Sequence, residues 1–320
     1  MKRRKWIFVQ YFPVKQTLVA VAILVTTGFL MLHAKQPLEL TVAHGDIKTL
    51  REQVEQLAKT ERKPPIDAKM DHVWKAIPEL NGLEVDVEAT IERAKTAHGE
   101  IPIVYRQVPP KIKLDDLGPQ PIYRGNPEKR QMALMINVAW GTEYIPQILD
   151  ILKTYHVKST FFFDGSWLQK NPDVAKAIFE AGHEIGNHAY SHPDMARVSR
   201  ERALREITRT NDLIKQTLGI TPALFAPPSG SYTEETVKLA ASQNMRTILW
   251  TLDTVDWKKP PSEVILRKIV SQATNGALVL MHPTAPTVGA LRSMIPELQK
   301  KGYELVTVSE LLSPVRQVGS

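Results

Sequence analysis

The 320-residue chain has no cysteine, which excludes disulfides, thiolate metal sites, iron–sulfur clusters and a cysteine nucleophile. Stability must therefore come from a packed core. Basic charge is scarce where it would matter for nucleic acid. The formal net charge is +7, but Lys2, Arg3, Arg4, Lys5 and Lys15 supply five of those seven charges, and the first 34 residues hold no acid. The rest of the chain is nearly neutral and has no basic block interleaved with aromatics. No nucleic-acid partner is expected. At 43% hydrophobic and 23% charged, the composition suits a globular protein and excludes collagen-like, coiled-coil and wholly disordered classes.

Long apolar runs are also absent, with one exception. Positions 16–34 carry no charge and are long enough to span a bilayer as a helix. The basic residues precede this run, so the rule that Lys and Arg stay cytoplasmic predicts a cytoplasmic tail at 1–15, a signal anchor at 16–34 and an extracytoplasmic remainder. A cleaved signal peptide is the alternative. It wants small residues before the cut, and Leu32-His33-Ala34 matches poorly.

Ile47, Leu50, Val54 and Leu57 have the spacing of a narrow apolar seam, which predicts a short helix within a stalk at 35–65, ended by Lys63-Pro64-Pro65. Residues 66–127 have mixed character and read as a small α+β subdomain or a structured linker. From 128 to 320, strand candidates at 132–138, 157–163, 183–187, 223–226, 246–251, 277–281 and 304–308 alternate with amphipathic helices that include 145–155, 200–217 and 234–242. This order predicts an α/β fold, a distorted parallel (β/α)7 barrel, with any site at the C-terminal ends of the strands.

Those ends carry polar side chains. His188-Ala189-Tyr190-Ser191-His192 sets two imidazoles four apart, a spacing that lets both face one metal. Asp253-Thr254-Val255-Asp256-Trp257 follows one strand and Leu280-Met281-His282 closes another. An imidazole beside a carboxylate is suited to general acid work near neutral pH.

Together with Glu143-Tyr144-Ile145-Pro146, Ser159-Thr160-Phe161-Phe162-Phe163, Gly182-His183-Glu184-Ile185-Gly186-Asn187-His188 and Lys301-Gly302-Tyr303-Glu304-Leu305, these motifs resemble the polysaccharide deacetylase family, carbohydrate esterase family 4 or NodB-homology domain, over about 132–312. Ile136-Asn137-Val138-Ala139-Trp140-Gly141, with the anchor and the middle segment, is similar to a branch of probable sporulation proteins. The resemblance implies removal of N-acetyl groups from amino-sugar polymers such as peptidoglycan, using zinc or another divalent metal. It assigns His188 and His192 to the metal, His282 to the acid, Asp253 to the carboxylate that tunes it, and Trp257, Leu280, Pro228 and Ser229 to substrate contacts.

The same resemblance exposes gaps. Laying the family's Thr-Phe-Asp-Asp-Gly-Pro on the chain without gaps puts Asn137 at the base Asp and Val138 at the metal Asp. Matching Gly141 to the family glycine puts Ala139 and Trp140 there instead. Neither register supplies a carboxylate, and Ala226 stands where the arginine that orients the base belongs. A buried Arg without its carboxylate would be an uncompensated charge costing about 3–5 kcal/mol, so the two losses suit each other. Asp164 and Asp194 are the nearest acids that could fill in, although a turn or cap explains each. Two functions follow as expectations: a deacetylase of much reduced activity with a weak or absent metal, or a silent glycan-binding or scaffold protein of the envelope.

Overall fold

The computed structural model describes residues 39–40, 47–97 and 101–318. The expected tail at 1–15 and anchor at 16–34 lie outside these residues. Among the described residues no helix is long and apolar enough to cross a membrane.

The first part of the described chain holds β1 (Glu39–Leu40), α1 (Ile47–Thr60), β2 (Lys69–Asp71), β3 (Lys75–Ile77), β4 (Gly82–Val85), α2 (Val87–Ala94), β5 (Ile101–Pro102) and β6 (Tyr105–Val108). Its strands form three antiparallel pairs: β1 with β5, β2 with β3, and β4 with β6. The seam on α1 does not belong to a free stalk. Leu50 and Val54 are buried against Val85, Ile91, Ile101 and Ile103, because a helix with one apolar stripe finds its partner in the nearest uncovered apolar surface. Helix α1 therefore packs on β4, α2 and β5 rather than standing apart as a stalk.

The second part runs through β7 (Gln131–Val138), α3 (Ile145–Thr154), β8 (Thr160–Phe163), α4 (Gly165–Lys170), α5 (Pro172–Glu180), β9 (Glu184–Asn187), α6 (Arg200–Leu218), β10 (Leu224–Phe225), α7 (Glu234–Ser242), β11 (Arg246–Thr247), β12 (Leu252–Asp253), α8 (Ser262–Gln272), β13 (Ala277–Met281), α9 (Ala285–Lys300), β14 (Glu304–Val306) and α10 (Val308–Leu312). The sheet order is β11-β10-β9-β8-β7-β13-β12, with β14 also on β7, and every pairing is parallel. The result is a parallel sheet curled into a half-barrel with helices outside, consistent with a distorted β/α barrel.

Between the outlying strands runs the segment 122–125. Ile122 bridges Ile248, its N–H donating to the Thr247 carbonyl and its own carbonyl accepting from Leu249 N, while Arg124 bridges Ala277 and Gly125 N donates to the Gly276 carbonyl. This strap helps explain why the strand expected at 246–251 is regular only for two residues: Ile248 N still donates to Phe225, but the Thr247 carbonyl and Leu249 N bond to Ile122 of the strap, and Thr251 N turns to Leu278. The run expected at 304–308 stops at Val306 because the Thr307 side chain caps α10. Strand β12, two residues long, had no signal of its own.

Strand β7 is buried along its whole length, and its alternation defines two layers. Met132, Leu134, Ile136 and Val138 pack outward with Ile145, Ile148 and Leu291 beneath the helices. Ala133 and Met135 face inward with Phe162, Leu224, Ala226, Leu278 and Leu280. Phe161 and Phe163 add to the outer layer, and each buried ring contributes on the order of 2–3 kcal/mol. Continuing this parity, Asn137 and His282 are the next positions inward on β7 and β13, at the mouth formed by the strand ends.

Candidate active site

His188 follows β9 directly and is buried, with Nδ1 2.7 Å from the carbonyl oxygen of Ala226. A carbonyl only accepts, so Nδ1 carries the hydrogen and Nε2 keeps its lone pair. Burial, reinforced by His192 nearby, holds this imidazole neutral by pushing its pKa down to about 3. His192 lies on the exposed side, its ring centroid 5.1 Å from that of His188 and nearly edge-on.

The turn between them is fixed from beneath. Ala189 and His192 have φ of 62° and 54°, backbone conformations that non-glycine residues adopt only when surroundings dictate them. The Asn187 side chain accepts from Ala189 N. Glu206 on α6 accepts from Tyr190 N at 3.0 Å, Ser191 N at 2.7 Å and the Ser191 hydroxyl at 2.8 Å. Sequence reasoning missed Glu206. Its signal is a carboxylate on the buried stripe of α6, between Ala203 and Ile207.

His282 closes β13 but its partner is not Asp253. The Asp253 carboxylate turns back to accept from Val255 N at 2.7 Å. Val255, at φ 55°, then reverses the chain and places Asp256 under the imidazole. Asp256 is fully buried; its Oδ1 lies 2.8 Å from His282 Nδ1, and its Oδ2 accepts from His282 N at 2.6 Å and from the Thr287 hydroxyl. The resemblance assigns the role to Asp253; the turn geometry gives it to Asp256, three residues on. Leu280 is buried in the inner layer and Trp257 is exposed. Pro228 is buried, whereas Ser229 is exposed and at φ 54°.

At the end of β7, Asn137 is buried and its Oδ1 has no partner. Val138 is fully buried in the outer layer, and Ala226 is fully buried in the inner one. The two acids considered as replacements are engaged elsewhere. Asp164 caps α4, its Oδ1 accepting from Trp167 N at 2.9 Å and the Ser166 hydroxyl at 2.6 Å. Its Oδ2 is buried without a partner, and burial raises its pKa. Asp194 is exposed and holds Ser231, Ala196 N and Arg197.

Zinc would require a third protein ligand beside the two histidines. The imidazoles fit such a role, since His188 has the tautomer that leaves Nε2 available. The set as a whole does not: the third position is the aliphatic Val138, and among the described residues no three of His, Cys, Asp and Glu come together as a metal group. What the mouth does retain is an oriented imidazole–carboxylate pair and two further imidazoles, with Asn137 rather than a carboxylate at the inward position that ends β7.

A parallel half-barrel with this set at its strand ends defines a hydrolase-type scaffold whose proton-transfer and ligand positions are only partly filled. Residues 124–248 match the model of the polysaccharide deacetylase family. The YlxY protein of Bacillus subtilis is 45% identical over 83% of this chain and 84% of its own length. A peptidoglycan-N-acetylglucosamine deacetylase of Bacillus cereus is 34% identical over 61% of this chain and 73% of its own. The crystal structure of BA3943 from Bacillus anthracis, described as a pseudoenzyme of carbohydrate esterase family 4, superposes with a TM-score of 0.78 at 42% identity over 84% of this chain and 96% of that one. A mutant of the same protein, described as having restored enzymatic activity, superposes equally well. The chain belongs to the polysaccharide deacetylase family, carbohydrate esterase family 4.

Proposed function

We propose that this chain is a cell-wall member of the family that binds N-acetylated glycan and is silent, or at most weakly active, as a deacetylase. The observation that carries the reading is the end of β7, where Asn137 and Val138 offer no carboxylate. Loss of a general base costs about 100- to 10,000-fold in rate. The likeness to peptidoglycan deacetylases and to a pseudoenzyme supports both halves of the reading. The intact His282–Asp256 pair supports the weakly active limit, since it keeps a proton donor in place.

The charge-free run at 16–34 behind a basic tail supports an anchor with the folded part outside the cytoplasm. The similarity of the first-motif region to a sporulation branch supports a role in wall or cortex assembly.

The test is deacetylation of chito-oligosaccharides and peptidoglycan fragments by the full-length chain, with metal content measured alongside. The expected result is glycan binding with little or no acetate release. The combined substitution Asn137→Asp, Val138→Asp, Ala226→Arg should restore turnover and make thermal stability rise with added zinc, because a ligand that binds only the folded state stabilises it. Turnover by the unaltered chain comparable to an intact family member would sink the proposal.

A further inference from the structure

In the ungapped register Trp140 stands where the family's first motif has proline, and its indole does something specific. It stacks on the His282 imidazole, with ring centroids 5.8 Å apart and planes 9° from parallel. It is nonetheless 43% exposed. The stack is offset, so His282 overlaps one face of the indole only in part and leaves a large share of the ring in contact with solvent.

The turn that carries Trp140 is held firmly. Gly141, at φ 77°, sits so close to the chain after His282 that a Cβ there would lie 2.0 Å from the Pro283 carbonyl oxygen. The following Thr142 hydroxyl accepts from the indole nitrogen of Trp167 at 2.9 Å. A second exposed indole, Trp257 at 53%, adjoins Asp256, the partner of the same imidazole. The Lys258 ammonium lies 4.9 Å from the centre of the Trp257 ring, so Trp140 offers the less obstructed indole of the two at the ligand-binding end of the parallel barrel. A rigid, parallel-mounted ring presents a flat, electron-rich face, and the complementary object is the flat C–H face of a pyranose.

We propose that the Trp140 indole, mounted on His282, is the platform on which one pyranose ring of an N-acetylated glycan stacks, with Trp257 as its second contact. The inference rests on the glycan-binding reading above and adds the residue that does the holding. It also gives His282 a use that needs no proton transfer: the imidazole is the base of the platform, and the indole covers part of one of its faces.

Binding of N-acetylglucosamine tetramer and of a peptidoglycan fragment to the full-length chain, followed by calorimetry and by tryptophan emission, tests it. Trp140→Ala should weaken binding about tenfold. Trp140→Phe should bind within about threefold of the unaltered chain, since a flat ring remains, yet lose the ligand-induced change in emission that Trp140 supplies. Both should keep the circular dichroism and melting temperature of the parent, because the residue is exposed. If Trp140→Ala binds as tightly as the unaltered chain, the platform is overturned while glycan binding stands. If the unaltered chain binds neither saccharide, the functional reading falls and the platform falls with it.

Discussion

Asp256 and Asp253 differ by three positions and by almost everything else. Asp256 is fully buried and accepts from His282 N, His282 Nδ1 and the Thr287 hydroxyl, whereas Asp253 makes one local bond to Val255 N. Removing a buried acceptor strands its donors, so Asp256→Ala should cost about 3–5 kcal/mol in urea unfolding and Asp253→Ala about 1 kcal/mol or less. Equal losses would mean that the pair described around His282 is wrong. The chemistry-bearing residue types at the mouth were legible in the sequence because each sits where a strand ends. Which carboxylate faces the imidazole was not, because that depends on Val255 adopting a left-handed backbone that its side chain disfavours.

The turn from His188 to His192 shows the same division between pattern and placement. The spacing of the two histidines is visible in the sequence, but the carboxylate that holds the turn comes from α6, roughly one element later. Glu206→Ala should destabilise the chain by about 2–3 kcal/mol, since two backbone N–H groups and a hydroxyl lose their acceptor. It should also speed amide exchange at Tyr190 and Ser191 more than at the centre of α6, with Glu206→Gln recovering part of both. Uniform acceleration along the helix would show that Glu206 acts on α6 alone. Among the larger elements, β7, β13 and α7 were readable nearly to the residue because continuous apolar runs and a Thr cap mark them. Strands β10, β11 and β12 were blurred, since two-residue strands are too short to display a period.

Two neutral, buried imidazoles make the folded molecule sensitive to acid. His183 is held by burial, with Lys158 adding to the effect, at a pKa of about 4, and its Nδ1 accepts from Ser159 N at 3.2 Å. His188 is held near 3. The unfolded chain takes up these protons around pH 6.5, before the folded chain does, so stability is complete above pH 6.5 and falls as pH drops toward 4. The loss from His183 alone is on the order of 2–3 kcal/mol. Urea midpoints measured across that window should fall steeply, and His183→Asn, which retains an acceptor for Ser159, should flatten the slope by close to one proton. An unchanged slope would place the acid sensitivity elsewhere.

The strap at 122–125 bears on where the folded unit begins. It covers backbone groups along the edge strand β11 and its continuation, and an uncovered parallel edge is a template for other chains. A chain cut to begin at residue 128, the boundary that hydropathy suggests, should therefore self-associate in size-exclusion chromatography, while one beginning at residue 47 should elute as a compact species. The strap is in this sense an edge partner that the chain carries just ahead of the first strand of its own barrel.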